Sequence, residues 1–331
     1  MKYRQTAAAG LLLALMLCGC AAGQAKAEFY AMDTVMQITA CGVGAQEAVH
    51  AAQTEVYRLE SLFSCREASA ELARCNAGQT ALSTETAELI GRALELSAQT
   101  DGAYDPSLGA LTAAWGFDDG NYRVPDAAQR AEALRCCGTD KVSLTENAAV
   151  LSGGVQLDLG GIGKGCAAAH VRQILLDGGV RSAIVSLGGN VCAVGAKPDG
   201  TDWTIGLQDP RKPSSYFGTV AVRDAAVVTS GGYQRYFEQN GVRYHHILDA
   251  KTGAPAESGL LSVSVVCTDD TLADALSTAL YVMGLEKGIA FWRAGGADFE
   301  AVWMTEDGSV WLTSGLCDAY RSQTPYQVVE R

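Results

Sequence analysis

The sequence is poor in proline and in positive charge. Only 7 of its 331 residues are proline while 37 are glycine, which argues against a low-complexity linker and for ordered glycine-rich turns. Lysine and arginine together number 25 against 37 aspartates and glutamates, so the net charge is -12. Because an acidic surface repels phosphate backbones, and no local basic patch interrupts it, we expect no nucleic-acid partner.

The sequence also lacks a second apolar run of membrane-spanning length. The run at residues 11–17 follows two basic residues and is too short for a bilayer, the layout of a secretory signal peptide. Residues 17–20 resemble a bacterial lipobox, in which Cys20 receives a lipid; an ordinary signal peptide with incidental cysteines is the alternative. We expect a lipoprotein signal peptide at residues 1–19, a tether at 20–27 and one domain at 28–331. The lipid would anchor the protein at the extracytoplasmic face of the bacterial cell membrane.

No CxxC pair with the spacing of a zinc site or a thioredoxin motif is present. Cys18 and Cys20 lie in the leader region, and nine further cysteines are scattered along the chain. Several of these lie in apolar runs, where a free cysteine behaves as a small hydrophobic residue. We therefore expect mostly buried thiols rather than a disulfide framework.

Hydrophobic periodicity organises the rest of the chain. It predicts helices over residues 45–63, 84–98, 166–176 and 271–283. It predicts strands over residues 155–159, 183–195 (two strands around a Gly-Gly turn), 203–207, 219–222 and 261–267. Because the helices alternate irregularly with hairpin-like strands, the pattern favours the α+β class over a doubly wound sheet.

A glycine-rich loop at residues 160–165 follows one predicted strand and precedes a helix, an arrangement suited to phosphate binding. A Walker A loop would need glycine at Asp158 and serine or threonine at Gly165, and the spacing also fails the dinucleotide-binding GxGxxG pattern. The loop therefore excludes P-loop kinases and NTPases as well as Rossmann domains. A tight strand-to-helix turn that binds nothing stays open.

The predicted helix over residues 271–283 carries Asp274, Ser277 and Thr278 on one face among apolar neighbours. A lone carboxylate on so hydrophobic a helix is costly unless it caps, pairs or binds a cation. Oxygen ligands of this kind suit Mg²⁺ or Ca²⁺ rather than zinc. An exposed polar stripe is the alternative.

A third cluster of polar residues combines a glycine-rich turn at residues 229–233 with His245, His246 and Asp249. A histidine beside phosphate chemistry can act as a general base. A zinc site would need further ligands at defined spacing, which are not nearby. One histidine of the pair is expected to be structural.

Seven segments in this order resemble the ApbE family of flavin transferases, over residues 29–322. They are MDT at 32–34, DGAYDP at 101–106 with WGF at 115–117, LDLGGIGKG at 157–165, LGGN at 187–190, TSG at 229–231, HILD at 246–249 and ADALST at 273–278. The resemblance implies an ApbE-like, T-fold-related α+β fold of antiparallel sheets packed with helices in a single large catalytic domain. It also implies Mg²⁺-dependent transfer of FMN from FAD to a threonine or serine hydroxyl of a target protein, with release of AMP.

The resemblance also assigns residues to the site. The magnesium ligands would be the Gly161 carbonyl, Asp274, Thr278 and Ser277. The flavin contacts would be Met32, Ala103, Tyr104, Asp105, Asp158, Lys164 and Leu248. His246 stands at the position of the family's histidine implicated in catalysis, with Asp249 as its candidate orienter.

Two departures from the family pattern concern the flavin pocket. Asp33 replaces the glycine of the usual Met-Gly-Thr, and Arg66 stands where an aromatic flavin contact is common. A third departure is Ala250, where the family has proline after the aspartate.

Partners and rival activities follow from the same resemblance. The expected partners are FAD and extracytoplasmic target proteins, such as flavin-carrying subunits of Rnf- or Nqr-type redox complexes. A Mg²⁺-dependent FAD pyrophosphatase that releases free FMN and AMP, and a flavin-binding lipoprotein without chemistry, are the alternatives.

Overall fold

Residues 23–331 are described by the computed structural model, so the predicted signal peptide and Cys20 lie outside the described residues. Within residues 23–331 no helix is long and apolar enough to cross a membrane. The tether predicted for residues 20–27 is wrong from Gln24 onward, because strand β1 begins there and Ala25 is buried in the core.

The helices are α1 (Ala45–Phe63), α2 (Glu71–Asn76), α3 (Thr84–Gln99), α4 (Gly109–Trp115), α5 (Ala127–Cys136), α6 (Gly163–Asp177) and α7 (Asp270–Ala294). The strands are β1 (Gln24–Ala31), β2 (Thr34–Cys41), β3 (Val142–Thr145), β4 (Ala148–Leu151), β5 (Ser182–Leu187), β6 (Asn190–Gly195), β7 (Trp203–Asp209), β8 (Lys212–Val222), β9 (Ala226–Gly231), β10 (Tyr236–Gln239), β11 (Val242–His245), β12 (Leu248–Asp249), β13 (Ala254–Pro255), β14 (Leu260–Cys267), β15 (Glu300–Thr305), β16 (Val310–Thr313), β17 (Tyr320–Arg321) and β18 (Tyr326–Val329).

A nine-stranded sheet with the order β1-β2-β5-β6-β9-β14-β15-β16-β18 forms the centre of the domain. Its neighbours pair antiparallel except β16 and β18, which are parallel. Helices α1, α6 and α7 bury their apolar stripes against one face. A three-stranded sheet, β17-β8-β7, covers part of the other face through residues such as Trp203 and Val220. This layering confirms the α+β prediction.

The helix predictions from periodicity agree with the structure except at the start of α6. That helix begins at Gly163 rather than at residue 166, so it includes the second half of the predicted glycine-rich loop. The first helix has the predicted bounds, Ala45–Phe63, and the second begins at Thr84 with Ser83 as its N-cap. Helix α7 is longer than predicted, because the chain resumes helical geometry after a non-helical residue, Gly284 (φ 76°). All the cysteines in residues 23–331 are free thiols, as expected, but only Cys75, Cys166, Cys192 and Cys267 are buried. The other five are partly or fully exposed, so the expectation that most of the thiols are buried is wrong.

The strand predicted over residues 155–159 is wrong. Gln156 forms only an isolated bridge with Leu108. The rest of the segment makes individual hydrogen bonds rather than a ladder with a neighbouring strand. Leu157 N donates to Asn76 Oδ1 at 2.7 Å, and Asp158 N donates to the Pro106 carbonyl at 2.8 Å. The apolar residues of the segment are buried in the core without a neighbouring strand.

Candidate functional site

The close approach of helices α6 and α7 brings the glycine-rich loop onto Asp274, which is only 4% exposed. The backbone N–H of Gly165 donates to Asp274 Oδ2 at 2.8 Å. A Cβ on Gly165 would lie 2.4 Å from the Asp270 carbonyl oxygen and 2.7 Å from Asp274 Cβ. Glycine at position 165 therefore permits the helix contact that orients the carboxylate.

We expect Gly165→Ala to separate the two helices and break the amide contact with Asp274. Overpacking of this kind costs about 1–3 kcal/mol of unfolding free energy, and divalent-cation affinity is expected to fall by about tenfold or more because the carboxylate loses its orientation. Urea unfolding and Mn²⁺ titration measure the two effects. Gly296→Ala is the matched control, since a Cβ there meets nothing within 4 Å. Cation affinity equal to that of the control would contradict the role of Gly165.

The backbone of Gly161 lies beside two of the predicted site residues. A Cβ on Gly161 would lie 3.1 Å from the Tyr104 ring and 3.4 Å from Thr278 Oγ1. Ser277, fully buried, donates to the Asp274 carbonyl at 2.8 Å, and its Oγ lies 2.8 Å from Ser230 Oγ. The Ser277 hydroxyl is thus already engaged and retains at most one lone pair for a cation.

Lys164 lies between the loop and the carboxylate. Its Nζ donates to the Gly160 carbonyl at 3.0 Å and lies 3.8 Å from Asp274 Oδ1. The side chain is 24% exposed, so the ammonium group can reach a ligand from this position. A cation here supplies charge that an acidic protein needs when it binds a diphosphate.

Tyr104 provides an independent indication that this site takes a ligand. Its hydroxyl is buried and has no hydrogen-bond partner among residues 23–331. Burial raises its pKa, and the nearby Asp274, Asp158 and Asp105 carboxylates raise it further. The hydroxyl therefore stays protonated at neutral pH and can donate a hydrogen bond. Leaving a buried donor unsatisfied is costly. A carboxylate, a hydroxyl and a backbone carbonyl beside this donor fit a hard divalent cation with a phosphate-bearing ligand.

Asp158 joins the loop to a neighbouring cavity of about 300 Å³. Asp158 Oδ1 accepts from Gly160 N at 2.8 Å, and Oδ2 accepts from Thr112 Oγ1 at 3.0 Å. Cys65 and Asp118 also line this cavity. The cavity is therefore connected through Asp158 to the glycine-rich loop.

His246 follows the β10–β11 hairpin directly. Its Nδ1 lies 3.1 Å from the Arg235 carbonyl oxygen. Because a carbonyl only accepts, Nδ1 carries the proton and Nε2 is left as the basic atom. Burial, and then the charge of Arg235, lower the pKa of His246 to about 3, so the ring is neutral at physiological pH.

The predicted orienter of His246 is wrong. Asp249 Oδ1 instead accepts from the backbone N of Lys251 at 2.8 Å, and it closes the turn after β12. The Arg235 carbonyl takes the orienting position, which no side-chain pattern in the sequence could indicate.

The remaining predicted flavin residues lie in three other segments of the fold. Met32 lies in the turn between β1 and β2, where its N donates to Glu60 Oε1 at 2.6 Å. Ala103 and Asp105 lie in the loop before α4, and Asp105 Oδ1 accepts from Ser107 N at 2.8 Å. Leu248 is buried in an apolar cluster with Trp115 and Phe117.

A second group of cation-binding side chains lies on helices α1, α3 and α6. Glu55, Glu85 and His170 place one ligand atom each within 4.8 Å of one another. Arg58 already pairs with both glutamates, at 2.6 Å and 2.7 Å. This cluster is a surface ion-pair network that links three helices.

Comparison with known proteins identifies the family of this chain. The family model described as ApbE family matches residues 32–303. The chain is 35% identical over 356 residues to the FAD:protein FMN transferase of Treponema pallidum, covering 97% of each chain. It is also 35% identical to the Klebsiella pneumoniae protein of that name, covering 78% of this chain and 82% of the relative.

Two solved structures share the fold. The ApbE protein of Thermotoga maritima superimposes with a TM-score of 0.84 at 32% identity, covering 91% of this chain and 100% of that one. The apo form of the Pseudomonas stutzeri flavinyl transferase ApbE gives a TM-score of 0.77 at 31% identity, covering 87% and 92%.

Proposed function

The chain belongs to the ApbE family and is an FAD:protein FMN transferase, and from that premise we propose a Mg²⁺-dependent reaction that releases AMP. The acceptor is a threonine or serine hydroxyl of a target protein. The observation that carries this proposal is the meeting of Asp274, Thr278 and the Gly161 backbone beside the unpartnered Tyr104 hydroxyl.

The reaction exchanges one phosphorus–oxygen bond for another. The acceptor oxygen bonds to the FMN phosphorus, the bond from that phosphorus to the bridging oxygen breaks, and AMP leaves with the bridging oxygen. The acceptor proton passes to Nε2 of His246, the atom left basic by the contact with Arg235. A cation bound by Asp274, Thr278 and the Gly161 carbonyl, with Ser277 in support, would neutralise the diphosphate.

The other residues bind and orient FAD in this proposal. Lys164 would pair with a diphosphate oxygen, and Tyr104 would donate its unpartnered hydroxyl to the same group. Met32, Ala103, Asp105, Asp158 and Leu248 would line the flavin and adenine ends of the pocket.

AMP release separates transfer from hydrolysis. We expect the full chain with FAD and Mg²⁺ to release AMP rapidly only when an acceptor protein is present, because the site positions a hydroxyl rather than water. Chromatography of the nucleotides with and without acceptor, and with a chelator as control, measures this. Equal AMP release with and without acceptor would instead establish an FAD pyrophosphatase. The absence of AMP release under both conditions would establish a flavin-binding protein without chemistry.

The place of action is a further part of the proposal. The apolar run at residues 11–17 and the lipobox-like sequence ending at Cys20 support a lipid anchor at the extracytoplasmic face of the cell membrane. Flavin-carrying subunits of Rnf- or Nqr-type complexes would then be within reach. Incorporation of labelled fatty acid that is lost in Cys20→Ser tests the anchor.

A further inference from the structure

An ion pair joins the turn between β1 and β2 to the segment that follows Cys65. Arg66 Nη1 lies 2.7 Å from Asp33 Oδ1, and Arg66 Nη2 donates to the Phe117 carbonyl at 3.1 Å. Arg66 directly follows Cys65, and Phe117 directly precedes Asp118, and both of those neighbours line the cavity. Arg66 therefore connects the turn that carries Met32 to two segments whose neighbouring residues line the cavity.

The turn that carries Asp33 is formed by two residues with left-handed backbone. Met32 and Asp33 form the two-residue connection between the paired residues Ala31 and Thr34, with φ values of 47° and 63°. The second position of such a turn favours glycine, and aspartate and asparagine are the other residues that adopt left-handed backbone there. Asp33 stands at this position, and left-handed residues other than glycine concentrate at ligand clamps.

Stability of the fold does not account for the pair. The Asp33 and Arg66 side chains are 53% and 33% exposed, and ion pairs so exposed contribute little to folding. The Phe117 carbonyl also accepts from Arg235, so it keeps a partner without Arg66. The contact between Asp33 and Arg66 is thus not needed to hold these segments in the fold.

We propose that Asp33 and Arg66 form an ionic clasp across the mouth of the FAD pocket that slows release of the bound dinucleotide. The inference rests on the proposed function, since it takes the cavity beside Asp158 as part of the FAD site. Closing the clasp joins the Met32 turn to the wall at Phe117. Opening it lets FAD enter and leave. Arg66 is therefore a positioning residue for FAD rather than a catalytic one.

The test is the rate of FAD release from the full chain, measured by stopped-flow fluorescence without acceptor protein. Asp33→Asn keeps the left-handed turn and removes only the charge, and Arg66→Gln removes the other partner. Each is expected to speed release by about 1.4- to fivefold, the range of a broken exposed ion pair. The double variant is expected to release FAD no faster than either single variant, because both remove the same contact. Added salt is expected to speed release more from the unaltered chain than from the variants, because only the unaltered chain has this ion pair to screen.

Two further variants separate a clasp from a structural contact. Asp202→Asn breaks the 2.8 Å ion pair with Arg223, of similar exposure and on the small sheet, and is expected to leave FAD release unchanged. Asp33→Gly relieves the strained turn, so its unfolding midpoint is expected to match or exceed that of the unaltered chain while FAD release is faster. If Asp33 only held the turn in shape, a variant as stable as the unaltered chain would also release FAD at the unaltered rate.

Three outcomes overturn the clasp. Release from Asp33→Asn at the rate of Asp202→Asn overturns it, as does an additive effect in the double variant. If release is unchanged while FMN transfer is normal, the clasp alone is wrong. If the unaltered chain does not bind FAD, the proposed function and the clasp both fail.

Discussion

The Asp274→Asn variant is expected to lose divalent-cation binding and at least about a hundredfold in its rate of FMN transfer, because the proposed cation would supply several kcal/mol of charge stabilisation. Asparagine keeps an oxygen that accepts from Gly165 N, so the contact between α6 and α7 survives. What is lost is the negative charge beside Thr278 and the Gly161 carbonyl. Mn²⁺ titration followed by electron paramagnetic resonance measures the binding, and kcat/KM measures the transfer.

Asp269→Asn is the control for this variant. Asp269 caps the same helix, with Oδ1 accepting from Leu272 N at 2.9 Å, and asparagine caps equally well. It removes one charge near the helix start without touching the proposed ligands, so binding and transfer are expected to stay close to those of the unaltered chain. Retention of full Mn²⁺ affinity by Asp274→Asn would remove Asp274 from the metal site.

The His246→Gln variant is expected to bind FAD normally and to transfer FMN about 10²–10⁴-fold more slowly, the usual contribution of a general base. Glutamine can still donate to the Arg235 carbonyl, but it offers no basic nitrogen to the acceptor hydroxyl. Single-turnover transfer with bound FAD measures the chemical step. Transfer at the unaltered rate would show that His246 is not the base.

The pH dependence of the unaltered chain checks the same assignment. Because the pKa of His246 is lowered to about 3, its basic form persists as pH falls through 6.5, where an ordinary histidine would protonate. The acid limb of kcat/KM, which reports the free enzyme, is therefore expected below about pH 5. An acid limb centred near 6.5 that disappears in His246→Gln would contradict the lowered pKa.

The neighbouring His245 provides the matched control. Its Nε2 lies 3.2 Å from the Ala256 carbonyl oxygen, and its ring packs edge-on against Tyr281 with centroids 5.5 Å apart. It belongs to the packing under the hairpin, which agrees with the expectation that one histidine of the pair is structural. His245→Gln is expected to lower the free energy of unfolding while the rate of the chemical step stays close to that of the unaltered chain.

Much of the fold follows from the sequence because periodicity is a local property. The spacing of Val49, Ala52 and Val56 predicts α1 to the residue, and the oxygen-bearing face of Asp274 and Thr278 follows from the same helical geometry. The segment at 155–159 shows the limit of this reasoning. Its apolar residues are buried as expected, but whether a buried segment finds a strand partner depends on distant parts of the chain.

The site was predictable only where side chains carry the chemistry. The contact between Gly165 and Asp274 joins residues 109 positions apart, and the orienter of His246 is a backbone carbonyl, so neither leaves a residue pattern. The departures at Asp33 and Arg66 are separate features of the sequence. Only the folded chain brings them together as an ion pair.

The most direct test of the central claim is the intact mass of an acceptor protein, such as the apo flavin-carrying subunit of an Rnf- or Nqr-type complex. After incubation with the full chain, FAD and Mg²⁺, the acceptor protein is expected to gain the mass of FMN less one water, and fragmentation is expected to locate this gain at a threonine or serine. The gain should be absent without FAD, with chelator present, or with Asp274→Asn. An unchanged acceptor mass while FAD is converted to free FMN and AMP would contradict the transfer of FMN to a protein hydroxyl.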